Sequence, residues 1–277
     1  MKNIYLINKI YNLPFSENLS GYIKKKLLKN NKITFIPTKK KFLPKNNHPI
    51  LNSIALQEKI IESFNEKNEL SFNTFLNLKD LLKKKYKSDE NFNFIDVGGD
   101  KLDFYLDISR EFKNINYFLI NLPEVNQIIS TVKKKYDYKN LTILNDLNEV
   151  VKNNYDFVYF GSTLQYLDNF DVFIKELLPV TKKNILFSAT WFFTSDLLKK
   201  KIVVKQLNFL PKIFYLYFIN LGNFLKIFNK YNFKVEFQND NISHICTFKN
   251  FEKLKINNIK YIDILFTKNV QVQDKFI

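Results

Sequence analysis

The chain has only five glycines, and three of them stand directly after two short apolar runs. Gly98 and Gly99 follow Phe92–Val97, and Gly161 follows residues 155–160. Glycine is needed where a backbone turns with positive φ or approaches a ligand closely. Three such residues at two strand ends point to a ligand crevice, with two ordinary strand-to-helix turns as the plainer alternative. Gln165, Tyr166, Trp191, Gln206 and Tyr215 are candidates for lining a substrate pocket near it, and core packing is the other reading of the aromatic ones. No residue is assigned as a catalytic base. His48 precedes Pro49 in a loop, His244 lies near the closing strands, and Asp168 and Asp196 are little better placed. No group of residues has metal-ligand spacing. Cys246, the single cysteine, reads as a small buried hydrophobe.

The elements that must position these residues form a regular series from Asn91 onward. Phe92–Val97, residues 116–121, Leu141–Leu144, residues 155–160 and residues 184–189 read as five strands separated by helix-length segments. Pro123 is well placed at a first helical turn, and Asn145-Asp146 is a possible cap for the next helix. Strands apolar on both faces, alternating with helices, predict a doubly wound, mostly parallel α/β sheet with right-handed crossovers. Ligands of such sheets bind beyond the carboxyl ends of the strands, where the strand order reverses. After the fifth strand the sequence predicts a long excursion over residues 191–210 and an apolar helix to about Lys230. Residues 233–237 and 261–266 read as two closing strands. Residues 1–90 lack this alternation. Helical spacing over residues 50–66 and 73–86 makes them a helical N-terminal extension whose position suits a lid, beside a core of residues 91–277.

Composition narrows the functional classes. The formal net charge is +16, but Arg110 is the one arginine among 43 basic residues, and there are 37 asparagines. Arginine is the residue that grips phosphates and guanines with a two-pronged fork. Near-absence of it, in a chain rich in residues that A/T-rich codons produce, makes the basicity a property of solvated faces. Dedicated nucleic-acid binding is not expected, while weak contact with an anionic membrane surface is compatible with lysine runs such as Lys39 to Lys41. One cysteine suits a reducing cytoplasm. The longest apolar run, between Lys212 and Lys226, is too short to span a bilayer.

The strand-end residues also carry a family resemblance. Phe94-Ile95-Asp96-Val97-Gly98-Gly99 resembles the first motif of class I S-adenosylmethionine-dependent methyltransferases, whose acid and glycine turn hold the amino acid end of the cofactor. Tyr155-Asp156-Phe157-Val158, followed by Gly161-Ser162-Thr163-Leu164-Gln165-Tyr166-Leu167, resembles the fourth-strand motif, whose loop lines the sulfonium and the substrate entrance. The resemblance implies further cofactor contacts from Asn121 and Leu122 at the ribose and from Asn145 and Asp146 at the adenine. More narrowly, the chain is similar over about residues 50–240 to a bacterial methyltransferase family associated with surface-polysaccharide genes. That likeness rests on the Gly-Gly turn, Leu164-Gln165-Tyr166-Leu167, Val203-Val204-Lys205-Gln206, Pro211 and Tyr215. The implied activity is methyl transfer from S-adenosylmethionine to a small-molecule or glycan-precursor acceptor, O-methylation first. Two departures keep open a non-catalytic protein of the same fold. Asp100-Lys101-Leu102 replaces a further small residue, and Asn121 replaces the acid that accepts both ribose hydroxyls, bringing no charge. A nicotinamide enzyme is disfavoured, because the spaced third glycine and the acid ending the second strand are missing.

Overall fold

The computed structural model describes residues 33–44, 52–67, 78–195, 199–207, 213–241, 246–256 and 258–269. The described N-terminal part consists of strand β1 (Ile33–Pro37) and helices α1 (Ile54–Lys67) and α2 (Leu78–Lys85). Then the alternating series begins, with β2 (Phe92–Val97), α3 (Asp103–Glu111), β3 (Ile115–Ile120), α4 (Pro123–Tyr136) and β4 (Leu141–Leu144). It continues through α5 (Leu147–Val150), β5 (Tyr155–Gly161), a 3-10 turn (Leu164–Tyr166), α6 (Phe170–Val180) and β6 (Thr181–Thr194). The remainder is β7 (Lys201–Leu207), β8 (Ile213–Asn220), α7 (Leu221–Asn229), β9 (Phe233–Asp240), β10 (Cys246–Phe248) and β11 (Asn258–Lys268).

Half of the sheet has the order β4-β3-β2-β5-β6, all parallel, and continues through antiparallel β11 to β9. Counted from β2, the parallel part reads 3-2-1-4-5, the doubly wound order, and it reverses between β2 and β5. Its central strands β2 and β5 are largely buried on both faces, as their mainly apolar runs predict. One face, with Phe94, Tyr117, Phe157, Tyr159 and Leu186, is covered by α1, α2, α3 and α4. The other, with Ile95, Val158, Phe160, Ile185 and Phe187, is covered by α5, α6 and α7. The mostly parallel α/β class read from the sequence is the observed one.

Beyond the carboxyl end of β5 the sheet changes character. β6 is 14 residues long, and its far end leaves β5 and pairs with β8. From there a second, largely antiparallel part runs β8-β7-β1-β10. The change of direction is built at Ala189, whose φ is 52°, opposite a register break in β11 between Ile262 and Ile264. The buried carboxylate of Asp263 secures it, accepting hydrogen bonds from Ser188 Oγ (2.8 Å), the Ala189 amide (2.7 Å) and Asn241 Nδ2 (3.4 Å). This second part has its own aromatic core of Phe35, Trp191, Phe193, Phe218 and Phe251.

Three expectations are corrected. The N-terminal ninety residues are not purely helical: Ile33–Pro37 is a strand held between β7 and β10. The excursion after the fifth strand is mostly sheet, because β6 continues to Thr194 and β7 follows. The apolar helix begins as strand β8, which pairs with β7 at seven positions, and turns into α7 only at Leu221. There the Asn220 side chain caps the helix, accepting from the Asn223 amide at 3.0 Å. Alternating Phe, Tyr and Ile fit a pleated surface better than a helix, and a ladder partner decides the matter.

Candidate cofactor crevice

The reversal point lies between the carboxyl ends of β2 and β5, where the motif residues collect. Asp96, the fifth residue of β2, is 2% exposed and accepts a hydrogen bond from Tyr117 Oη at 2.9 Å. Burial pushes its carboxyl up to about 7; the Tyr117 hydrogen bond opposes that rise, while the neighbouring Asp103 and Asp100 add to it. Among the described residues no lysine or arginine is paired with it. The site therefore favours either a proton or a cation.

The two glycines after Asp96 are required by their surroundings. Gly98 has φ +86°, and a Cβ there would lie 2.3 Å from the Thr163 side chain. A Cβ on Gly99 would lie 2.2 Å from Asp96 Oδ2. The turn thus lets a buried carboxylate and the β5 loop close on the backbone. Gly98 N–H donates to Ile120 O at 2.8 Å, tying the turn to β3.

The ends of β3 and β4 are stitched together by amides. Asn121 Nδ2 donates to Gly99 O at 2.8 Å, and its Oδ1 accepts from the Leu122 amide at 2.7 Å. Asn126, buried on α4, accepts from the Asn121 amide at 3.0 Å and donates to Leu144 O at 2.8 Å. Leu122 is exposed at the start of α4. Asp146 caps α5, accepting from the Glu149 amide at 2.9 Å, while the Glu149 carboxylate reaches back to the Asn145 amide at 2.8 Å. Asp96, Gly98, Gly99 and Asn121 are brought together directly, with Asn145 and Asp146 at the adjoining strand end.

On the β5 side, Ser162 has φ 57° and donates its amide to Ser188 O at 2.9 Å. Gln165, buried in the 3-10 turn, donates to Ser162 Oγ at 3.2 Å and accepts from the Trp191 amide at 3.2 Å. Tyr166 packs beside them, its hydroxyl pushed up to about 12 by burial. Trp191 is sandwiched between Tyr261 (centroids 4.4 Å apart) and Phe218 (5.2 Å). Both of its ring faces are therefore taken by the protein. Gln206 and Tyr215 are not brought together. Register pairs Lys205 with Tyr215 and Gln206 with Phe214, so the two lie on opposite faces of the β7–β8 pair. Among the remaining candidates, Asp168 accepts from Tyr217 Oη at 2.5 Å. His48, His244, Asp196 and Pro211 lie outside the described residues. Among the described residues no cluster could hold a metal ion, and no helix is long and apolar enough to cross a membrane.

Sequence reasoning missed several members. Tyr117 and Tyr261 sit within apolar strands and give no local signal. Asn126 does give one, as an amide on the helix face that carries Val125, Ile129 and Val132. Gln57, on α1, is wholly buried and reaches the glycine turn from outside the motif.

No protein-family model and no curated protein matches the sequence. Among solved structures, the N-terminal domain of EvdMO1 with SAH bound aligns at 12% identity over 78% of this chain and 96% of that one, with a TM-score of 0.49. The [4+2]-cyclase SpnF aligns at 12% identity over 84% and 100%, with a TM-score of 0.48. An S-adenosylmethionine-dependent methyltransferase from Clostridium acetobutylicum aligns at 9% identity over 76% and 98%, with a TM-score of 0.44.

Proposed function

We propose that the chain is an S-adenosylmethionine-dependent methyltransferase, transferring a methyl group to a small-molecule or glycan-precursor acceptor, with a hydroxyl as the acceptor group. The observation that carries this reading is Asp96: a buried carboxylate without a cationic partner among the described residues, beside a glycine turn at the reversal point of a doubly wound sheet. That site fits the ammonium at the amino acid end of the cofactor, which would draw the carboxyl back toward its ordinary value. The cofactor, when bound, supplies a methyl group already activated on a sulfonium. What remains for the protein is to bind, orient and keep water out, and holding two reactants in line supplies most of such an acceleration. Asp96, Gly98, Gly99, Asn121, Leu122, Asn145, Asp146, Gly161 and Ser162 are the proposed cofactor residues, and Gln165 and Tyr166 the proposed neighbours of the acceptor. Residues 1–90 serve as an extension of a core formed by residues 91–277. The proposed setting is a reducing bacterial cytoplasm, with surface-polysaccharide precursors as the acceptor class and no dedicated nucleic-acid partner.

A second reading, a non-catalytic protein of the same fold, is favoured by one local arrangement. Asn121 brings no charge and turns both ends of its amide inward, onto Gly99 and Leu122. Calorimetric titration with S-adenosylmethionine, S-adenosylhomocysteine and NAD separates the two. Saturable binding of the first two, weakened about tenfold or more in Asp96→Asn, is the expected result; tenfold corresponds to about 1.4 kcal/mol. A folded sample that binds none of the three makes the non-catalytic reading the leading one.

A further inference from the structure

We infer that Gln57 is a positioning residue for the turn after β2, holding it from α1 in the conformation that receives the cofactor; the inference rests on the proposed cofactor site. Gln57 is 0% exposed, and three hydrogen bonds engage its amide. Its Oε1 accepts from the Leu102 amide at 3.0 Å. Its Nε2 donates to Asp100 O at 3.0 Å and to Asn52 Oδ1 at 2.7 Å. Asn52 Nδ2 itself donates to Asp100 O, so the carbonyl is gripped twice from the N-terminal side.

The grip falls on the stretch that departs from the methyltransferase pattern, Asp100-Lys101-Leu102. Leu102 precedes α3 without a side chain able to cap it, and no side-chain cap bond is made there. A buried main-chain donor must find a partner, and the partner for Leu102 comes from an upstream helix. α1 is in turn fixed, with Ser53 Oγ accepting from the Leu56 amide at 3.1 Å and Ile61 and Phe64 packed in the core. Asp100 directly follows Gly98 and Gly99, and Leu102 lies two residues further on; a Cβ on either glycine would meet Thr163 or Asp96. Loss of the Gln57 amide would free the far end of that turn.

The test compares Gln57→Met, which keeps the volume and removes the amide, with Ile61→Ala, which loosens the same helix without touching the turn. Binding of S-adenosylhomocysteine is measured by calorimetry well below each melting temperature, and exchange of the Leu102 amide proton by NMR. Affinity about tenfold lower in Gln57→Met only, with faster Leu102 exchange in that variant, is expected. Equal affinity in all three proteins, or equal weakening in both variants, overturns the inference. If Gln57→Met does not fold, Asn52→Ala takes its place; it removes one of the two donors to Asp100 O and leaves the acceptor for Leu102. An intermediate affinity is then expected, and an unchanged one overturns the inference. A wild-type chain that binds no S-adenosylhomocysteine refutes the proposed function instead. In that case Leu102 exchange still tests the grip, and unchanged exchange in Gln57→Met overturns it.

Discussion

Asp96 stores a proton that the unfolded chain would release. Its folded carboxyl sits near 7, well above the ordinary range for aspartate. Between those two values the native state binds more protons than the unfolded one, so this group's contribution to stability is complete in acid and is lost as pH rises through about 7. Asp96→Asn keeps an acceptor for Tyr117 and removes the titration. Urea unfolding of the two proteins across pH 4 to 8 should therefore show the wild type losing ground to the variant as pH rises. Each tenfold change in proton affinity is worth about 1.4 kcal/mol, so the relative change should reach a few kcal/mol at most. Parallel curves for the two proteins would mean that Asp96 does not titrate in this window. The aspartate and its glycines were legible in the sequence because each belongs to a compact motif. Gln57 was not, since nothing local distinguishes a glutamine that pairs with a main chain 45 residues away.

The strands that were legible are those whose pattern and partners agree. β2, β3, β4 and β5 are short apolar runs closed by Gly-Gly, Asn-Leu-Pro, Asn-Asp and Gly-Ser, so the punctuation falls where the strands end. β7 and β8 lack that punctuation, and an apolar run alone does not separate strand from helix. β1 lies among lysines and prolines and acquires its structure from β7 and β10. The bend in β6 was likewise invisible, since it depends on Asp263, which is distant in sequence. Asp263→Ala would leave Ser188 Oγ, the Ala189 amide and Asn241 Nδ2 short of an acceptor. An unmet buried donor costs roughly 1–3 kcal/mol, so the unfolding free energy should fall by about 3 kcal/mol or more and lower the urea midpoint with it, while Asp263→Asn should cost less. A midpoint unchanged in Asp263→Ala would show that the bend holds without the carboxylate.

At the scale of the molecule, the two parts of the sheet share β6 and β11, and an N-terminal strand occupies an interior position. β1 lies between β10 and β7, so the N-terminal segment is built into the sheet as well as lying beside the helices. Removing residues 1–44 would expose the edge of β7 and leave β10 without its partner. An open edge invites pairing between chains. Size-exclusion chromatography of the truncated protein should show self-association and thermal unfolding a lower midpoint; a monomer with the full-length melting temperature would contradict this role for β1.

That placement also sets an order of events during synthesis. β1 is made early, yet its partners Val204 to Leu207 and Cys246 to Phe248 emerge from the ribosome much later. At the usual ~5–20 residues per second, the wait is roughly eight to forty seconds. The parallel core from β2 to β5 can collapse in that interval, while the first strand has no ladder to join. β1, the earliest of the described strands to be made, is among the last to find its partners.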